Sequence, residues 1–246
     1  MRAIRLVLAA AGLAWLAGCA SASPVVSPTG AAESAAPAAC EAVSLLTPSG
    51  SRLELTGRWR APLSGATYYL RQSGSCVWFM GLSRDTGAPG GEGVSDWTIS
   101  FFGSLASDFT LRGSWAFVPW GNDVGVGELA YRIDFDDVQG EEVVTLERIV
   151  ETGGFLDPFL VRPEGSADLE VRLQDSGECP HVVTEAGEVY ELVALPPNWS
   201  VADPISLHGP DGEIIRPSDV FGISGEVARG DGLCDPGLLI FGDHFD

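Results

Sequence analysis

The chain has 246 residues, of which 34 are acidic and 14 are arginine, with no lysine, and its formal net charge at neutral pH is −20. A negative field of this size repels nucleic acids, so nucleic acid is excluded as a predicted partner. The length allows one large domain or two small ones once a targeting segment is removed.

The first 19 residues are typical of a secretory signal peptide. Arg2 and Arg5 precede the apolar run 6–17, and no acidic residue occurs before Glu33. The run is shorter than the roughly 20 residues of a permanent membrane span. It ends in Leu16-Ala17-Gly18-Cys19, which resembles the bacterial lipobox. The resemblance implies a mature chain that begins at a Cys19 carrying lipid such as palmitate, anchored to a membrane outside the cytoplasm. An ordinary secretory signal that happens to contain a cysteine is the alternative.

The mature chain is predicted to contain a tether and two domains. Residues 20–39 are mostly Ala, Ser and Pro and bury too little apolar surface to fold, which predicts a flexible tether. Pro158, Pro163 and Gly165 mark a linker. We therefore predict a β-barrel domain over 40–162 and a small β domain over 163–246.

Four cysteines remain after Cys19 is set aside for lipid. An even number in an oxidising compartment predicts two disulfides, and four cysteines allow three pairings. Cys40 with Cys76 and Cys179 with Cys234 are favoured, because each pair then falls within one predicted domain. The cysteines are widely separated, and His181, His208 and His244 do not have ligand spacing, so neither a metal nor a cofactor is predicted.

Short alternating runs separated by turn residues predict an all-β fold. From Gly127 to Asp136, Leu129, Tyr131, Ile133 and Phe135 occupy one face, opposite polar residues. Similar segments, with a short entry strand, bring the count in the first domain to about eight, which suits an antiparallel up-and-down barrel. They are 41–46, 52–60, 66–72, 76–83, 97–105, 110–118, 127–136 and 142–150.

Gly57-Arg58-Trp59 resembles the Gly-x-Trp signature on the first strand of calycins, the superfamily of lipocalins and avidins. In that superfamily, an arginine or lysine from the last strand packs over the tryptophan at the closed end. The resemblance implies this role for Arg148, since a guanidinium can stack on an indole. Gly57, Trp59 and Arg148 are the predicted closure residues. An unrelated barrel or sandwich is the alternative.

Aromatic residues are concentrated in the first domain. A barrel of about eight strands either fills its interior or encloses one small ligand, and apolar rings serve both purposes. The candidate pocket residues are Tyr68, Trp97, Trp115, Phe117 and Tyr131. Trp120, between Pro119 and Gly121, is predicted on a rim loop. The alternative is that these rings are simply the core.

The second domain contains five short predicted strands, at 168–173, 181–184, 188–195, 213–215 and 219–228, which suit a small OB-type barrel. Gly209-Pro210-Asp211-Gly212 is a turn signal. Together with Cys179, Tyr190-Glu191-Leu192 and Cys234-Asp235-Pro236-Gly237, this region resembles a small module near the C terminus of other bacterial lipoproteins. The resemblance implies no particular activity.

Motifs for serine hydrolases, zinc proteases, phosphate loops and dinucleotide binding are missing from the sequence. We therefore expect a non-enzymatic lipoprotein that binds a small apolar or aromatic ligand or another envelope component. The alternative is a polysaccharide hydrolase with paired carboxylates, such as Asp134 with Asp136 or Asp231 with Asp235. Calcium binding by the same acids, together with Asp137, is a further hypothesis.

Overall fold

The computed structural model describes residues 40–42, 44–83, 97–118, 125–138, 140–154, 157–174, 179–196, 198–202, 205–232, 234 and 236–246. The predicted signal peptide, Cys19 and the tether over 20–39 lie outside these residues, as do Trp120 and Asp235. In the described part, regular secondary structure consists of sixteen β-strands. The predicted all-β class is confirmed.

The first eight strands form a closed antiparallel barrel in sequence order, in which the eighth strand pairs with the first. They are β1 (Gly57–Arg60), β2 (Thr67–Ser73), β3 (Cys76–Leu82), β4 (Thr98–Leu105), β5 (Thr110–Val118), β6 (Val126–Val138), β7 (Glu141–Glu151) and β8 (Phe159–Val161). The predicted entry strand at 41–46 was wrong, because its described residues form only an isolated bridge between Leu46 and Arg52. The three-residue β8 completes the barrel instead, and it is too short to show alternation in the sequence.

Inward side chains fill the first barrel. The largest of them are Trp59, Tyr68, Trp115 and Tyr131, each 2% exposed or less. Alternation explains this core, since every second residue of a strand points to the same side. In β4, for example, Ile99 and Phe101 are buried and Ser100 is exposed.

Five of the remaining strands form a second closed barrel, with neighbours in the order β10-β11-β16-β15-β9. The barrel strands are β9 (Pro163–Gln174), β10 (His181–Thr184), β11 (Val189–Ala194), β15 (Val220–Asp231) and β16 (Pro236–Phe245). Counted along the chain, these five strands close in the order 1-2-3-5-4, with strands 3 and 5 parallel, as in an OB fold. β12 (Ser200–Ala202), β13 (Ser206–His208) and β14 (Ile214–Ile215) form a separate sheet.

The sequence assigned the wrong fifth strand to this barrel. The segment 213–215 contributes only β14 of the small sheet, and the barrel uses β16 at the C terminus. Leu239, Ile240 and Phe241 in β16 are all fully buried. A strand buried on both faces lacks alternation, which is why the sequence pattern did not reveal it.

Both favoured disulfides are present. Cys40 is bonded to Cys76 with 5.1 Å between their Cα atoms, and Cys179 is bonded to Cys234 with 6.4 Å. The first bridge fixes the start of the described chain to β3. The second bridge joins the residue two positions before β10 to the residue two positions before β16. Two disulfides fit an oxidising environment outside the cytoplasm.

Candidate functional site at the upper end of the barrel

The connections of the eight-stranded barrel divide between two ends. We call the upper end the one at which β1, β3, β5 and β7 end. At the opposite, lower end, Leu53 and Leu55 precede β1 and are buried in the barrel core. The Leu55 N–H donates to Oε1 of Gln72 at 2.9 Å. This segment therefore covers the lower end of the barrel.

Trp59 packs against the segment that covers the lower end, and its indole N–H donates to the Leu55 carbonyl at 2.9 Å. The cation over its ring is Arg162, whose Cζ lies 4.8 Å from the ring centroid. The sequence had assigned this role to Arg148, which lies opposite Tyr131 in the ladder between β6 and β7. The difference arises because β8, and not β7, is the last barrel strand, and Arg162 directly follows β8.

The structure places all five candidate pocket residues in or against the core of the barrel. Tyr68, Trp115 and Tyr131 are buried, while Trp97 and Phe117 are only partly covered. The Tyr68 and Trp97 rings are 6.3 Å apart between centroids, and the Trp115 and Phe117 rings meet edge to face at 5.1 Å. The indole N–H of Trp115 donates to the Thr152 carbonyl at 3.1 Å, which fixes this ring at the upper end.

The barrel interior is tightly packed around two of its rings. A Cβ added to Gly81 would lie 2.4 Å from the Tyr68 ring, and one added to Gly113 would lie 2.7 Å from the Phe101 ring. Phe101 also stacks on Phe79 with 4.5 Å between centroids. Gly81 and Gly113 thus leave the space that the Tyr68 and Phe101 rings occupy, and both rings belong to the packed core of the barrel. Of the five candidate pocket residues, Trp97 and Phe117 near the upper end are the two that are only partly covered.

A buried carboxyl group lies under this upper end. Asp157 is 1% exposed, and the Tyr68 hydroxyl donates to its Oδ2. Its Oδ1 makes no hydrogen bond of normal geometry among the described residues. Burial raises the pKa of Asp157, and the Ser64 and Tyr68 hydroxyls together with the charge of Arg148 oppose that shift.

The two buried tyrosines belong to the same polar cluster. Burial raises the pKa of Tyr68 and of Tyr131 well above the usual value, and the charge of Asp157 adds to both shifts. Arg148 lowers both pKa values in part. Below their raised pKa values, both phenols are hydrogen-bond donors. Tyr68, Tyr131, Arg148 and Asp157 thus provide the upper end with donors and one acid inside an aromatic wall.

Sequence reasoning missed Asp157. It occupies the connection between β7 and β8, where no strand pattern or catalytic motif draws attention to it. The available signal was its setting in Phe155-Leu156-Asp157-Pro158-Phe159, a single acid among apolar neighbours. In such a setting a carboxylate is either exposed at a turn or buried with a specific partner.

A second group of acids lies on the outer side of β6 and β7, next to β15. Burial raises the pKa of Asp231, and the charges of Asp136 and Asp134 raise it further. Arg132 binds Asp134 at 2.9 Å and also contacts Glu147. Within the part of the chain that the structure describes, no group of three or more histidine, cysteine, aspartate or glutamate residues is arranged to hold a metal ion. The calcium hypothesis gains no support from the described residues.

No protein-family model, no curated protein and no solved structure matches the chain. Among the described residues, no helix has the length and apolarity needed to cross a membrane.

Proposed function

We propose that this chain is a non-enzymatic lipoprotein, anchored outside the cytoplasm through Cys19, whose first barrel binds a small ligand at its upper end. The ligand would have an apolar or aromatic body and at least one hydrogen-bond donor. The lipobox and the two disulfides support the location. The binding role rests on the residues at the upper end.

The observation that carries the binding role is the buried Asp157, whose Oδ1 makes no hydrogen bond of normal geometry among the described residues. A buried acceptor without a partner costs roughly 1–3 kcal/mol, so a natural fold retains one where another purpose offsets that cost. A ligand donor directed at Oδ1 would satisfy the acceptor. The partly covered rings of Trp97 and Phe117 would contact the apolar part of the ligand, the usual division of roles in a small-molecule site.

Native mass spectrometry of the full chain after gentle detergent extraction tests this role. We expect a small molecule to copurify and to dissociate at raised collision energy. Asp157→Asn should lower its occupancy, by about tenfold in affinity, because a charge-assisted hydrogen bond is lost. Asp211→Asn, the same change in an exposed turn, is the matched control and should leave occupancy unchanged. Absence of any copurifying molecule, or equal occupancy in both variants, would overturn the proposed site.

The hydrolase alternative has one observation in its favour, the crowding of acids around Asp134. The pKa of Glu147 is raised, mainly by burial and by its hydrogen bond with Asp134. A carboxyl group of raised pKa beside a second carboxyl group is part of the arrangement that a glycosidase needs. This alternative would be favoured if the purified chain releases reducing ends from envelope polysaccharide and Asp134→Asn abolishes that release. Equal release by the variant would refute the alternative.

A further inference from the structure

The outer face of β2 to β5 carries large apolar side chains that are open to solvent. We call it the aromatic face, and its exposed apolar members are Tyr69, Trp78, Met80, Phe102 and Val118, which are 37–48% exposed. Tyr69 pairs with Met80 across the β2–β3 ladder, and Trp78 lies beside Phe102 with ring centroids 5.4 Å apart. The side chains therefore form one continuous patch. Patches of this kind mark surfaces that contact a partner or a membrane.

The charge of this face differs from that of the rest of the chain. None of the 34 acidic residues occurs in β2, β3, β4 or β5, whereas β6 and β7 contain four each. Two exposed arginines, Arg71 and Arg112, lie among the outward residues of the face. Among the described residues, acids flank it at its edges, with Glu41 beside the β2–β3 turn, Asp108 in the connection between β4 and β5, and Glu128 opposite Ser114. In a chain of net charge −20, the four strands of this face thus contain arginine and no acid.

The start of the described chain is fixed to the edge of the aromatic face. Cys76 lies two residues before Trp78 on β3 and so shares its side of the sheet. The disulfide to Cys40 holds the incoming chain there. Residues 20–39 separate Cys40 from Cys19, and a chain of that length reaches at most roughly 70 Å when fully extended. A lipid on Cys19 would thus lie within that reach of the face.

We propose that the aromatic face rests on the lipid surface in which Cys19 is anchored. The proposal depends on the anchoring in the proposed function but not on its ligand. Tyr and Trp rings favour the headgroup region, and arginine side chains extend toward lipid phosphates from an apolar surface. The tether holds the face at a high effective concentration near the bilayer, so weak contacts suffice. The acidic strands β6 and β7 then lie to one side of the contact.

Nitroxide labels on the full lipidated chain test this contact. One label is placed by Ser100→Cys in the centre of the face, between Met80 and Ala116, and the control label by Val150→Cys on the exposed side of β7. In phosphatidylcholine vesicles, the label at position 100 should lose several-fold of its accessibility to a water-soluble nickel reagent. The label at position 150 should not change. Trp78→Ser with Phe102→Ser should restore accessibility at position 100, and Ile149→Ser, an equally exposed apolar site on β7, should not.

The outcomes separate this proposal from the proposed anchoring. If the mass of the mature chain shows lipid on Cys19 but both labels stay equally accessible, the contact is refuted and the anchoring stands. If Cys19 carries no lipid, the anchoring is refuted. The contact is then refuted as well if added vesicles leave the label at position 100 accessible, and it is supported if they protect that label. Spin–spin broadening at position 100 in detergent solution would assign the face to contact between two copies and overturn the proposal.

Discussion

Arg60 of β1 and Glu226 of β15 form a buried ion pair between the two barrels. The Nη1 of Arg60 donates to Oε2 of Glu226 at 2.8 Å, and the two residues are 7% and 5% exposed. Arg58 also contacts Glu226, and the Arg60 guanidinium lies over the Phe241 ring at 4.8 Å. A small apolar cluster that includes Val161 and Leu239 adjoins them. The barrels therefore share a packed and charged junction.

We expect the two sides of this ion pair to respond unequally to mutation. Glu226→Gln should lower the free energy of unfolding by about 3 kcal/mol or more, since Arg60 would stay buried without its main counter-charge. Arg60→Met should cost less, because Glu226 keeps Arg58. Urea unfolding followed by circular dichroism at neutral pH measures both. Arg58→Met, at a side chain that is 46% exposed, is the control and should cost about 1 kcal/mol or less. Equal losses for Arg60→Met and Glu226→Gln would contradict this account.

Asp157 should make stability fall as pH rises. Its folded pKa is raised above the usual 3.8 by burial, so between those two values the unfolded chain has released a proton that the folded chain retains. The free energy of unfolding therefore declines with pH through that window. Asp157→Asn cannot ionise, so its stability relative to the natural chain should improve as pH rises above about 4 and become constant above the folded pKa of Asp157. Urea unfolding at several pH values measures this difference, with Asp211→Asn as the flat control. A difference that does not vary with pH would show that Asp157 ionises normally in the folded barrel.

The disulfide in the second barrel should be a major part of its stability. Cys179 and Cys234 are separated by 55 residues, and opening a loop of that length frees chain entropy worth about 4 kcal/mol in the unfolded state. Cys179→Ala with Cys234→Ala should thus lower the urea midpoint. Trp199 meets Phe245 edge to face at 4.7 Å and is one of seven tryptophans in the chain, so the fluorescence that is lost in Trp199→Phe reports the second barrel. An unchanged midpoint for this signal would mean that the barrel core alone holds the fold.

The sequence predicted the parts of this fold that have one wet and one buried face. In β6 and β5, alternation revealed the strands and also which side chains point inward, including Tyr131 and Trp115. It failed where alternation is physically absent. β8 has only three residues, and β16 is buried on both faces, so neither produces a period of two.

The candidate site was predicted in part for a related reason. Inward aromatic residues follow from the strand pattern: Tyr68, Trp115 and Tyr131 are in the core of the barrel, and Trp97 and Phe117 pack against it. Asp157 and Arg162 lie just outside strands, where position depends on how the chain turns rather than on periodicity. The sequence did not reveal β8, so β7 was predicted to be the last strand of the barrel. The arginine predicted to pack over Trp59 was therefore Arg148 of β7 and not Arg162, which follows β8. The contacts of Asp157 and Arg162 depend on how the barrel closes, and the period of the sequence does not contain that information.

The paired glycines of β4 and β5 should be indispensable to the packing of the first barrel. Gly103 lies opposite Gly113, and a Cβ on Gly113 would be 2.1 Å from the Phe102 carbonyl oxygen and 2.5 Å from the Gly103 Cα. Both are backbone atoms, which cannot move without separating the strands. Gly113→Ala should therefore lower the free energy of unfolding by about 2–3 kcal/mol. Gly237→Ala in β16 is the matched control, since a Cβ there has nothing within 4 Å, and its effect should stay within about 0.5 kcal/mol. If the two variants unfold at the same urea concentration, the close approach of β4 and β5 does not exist in solution.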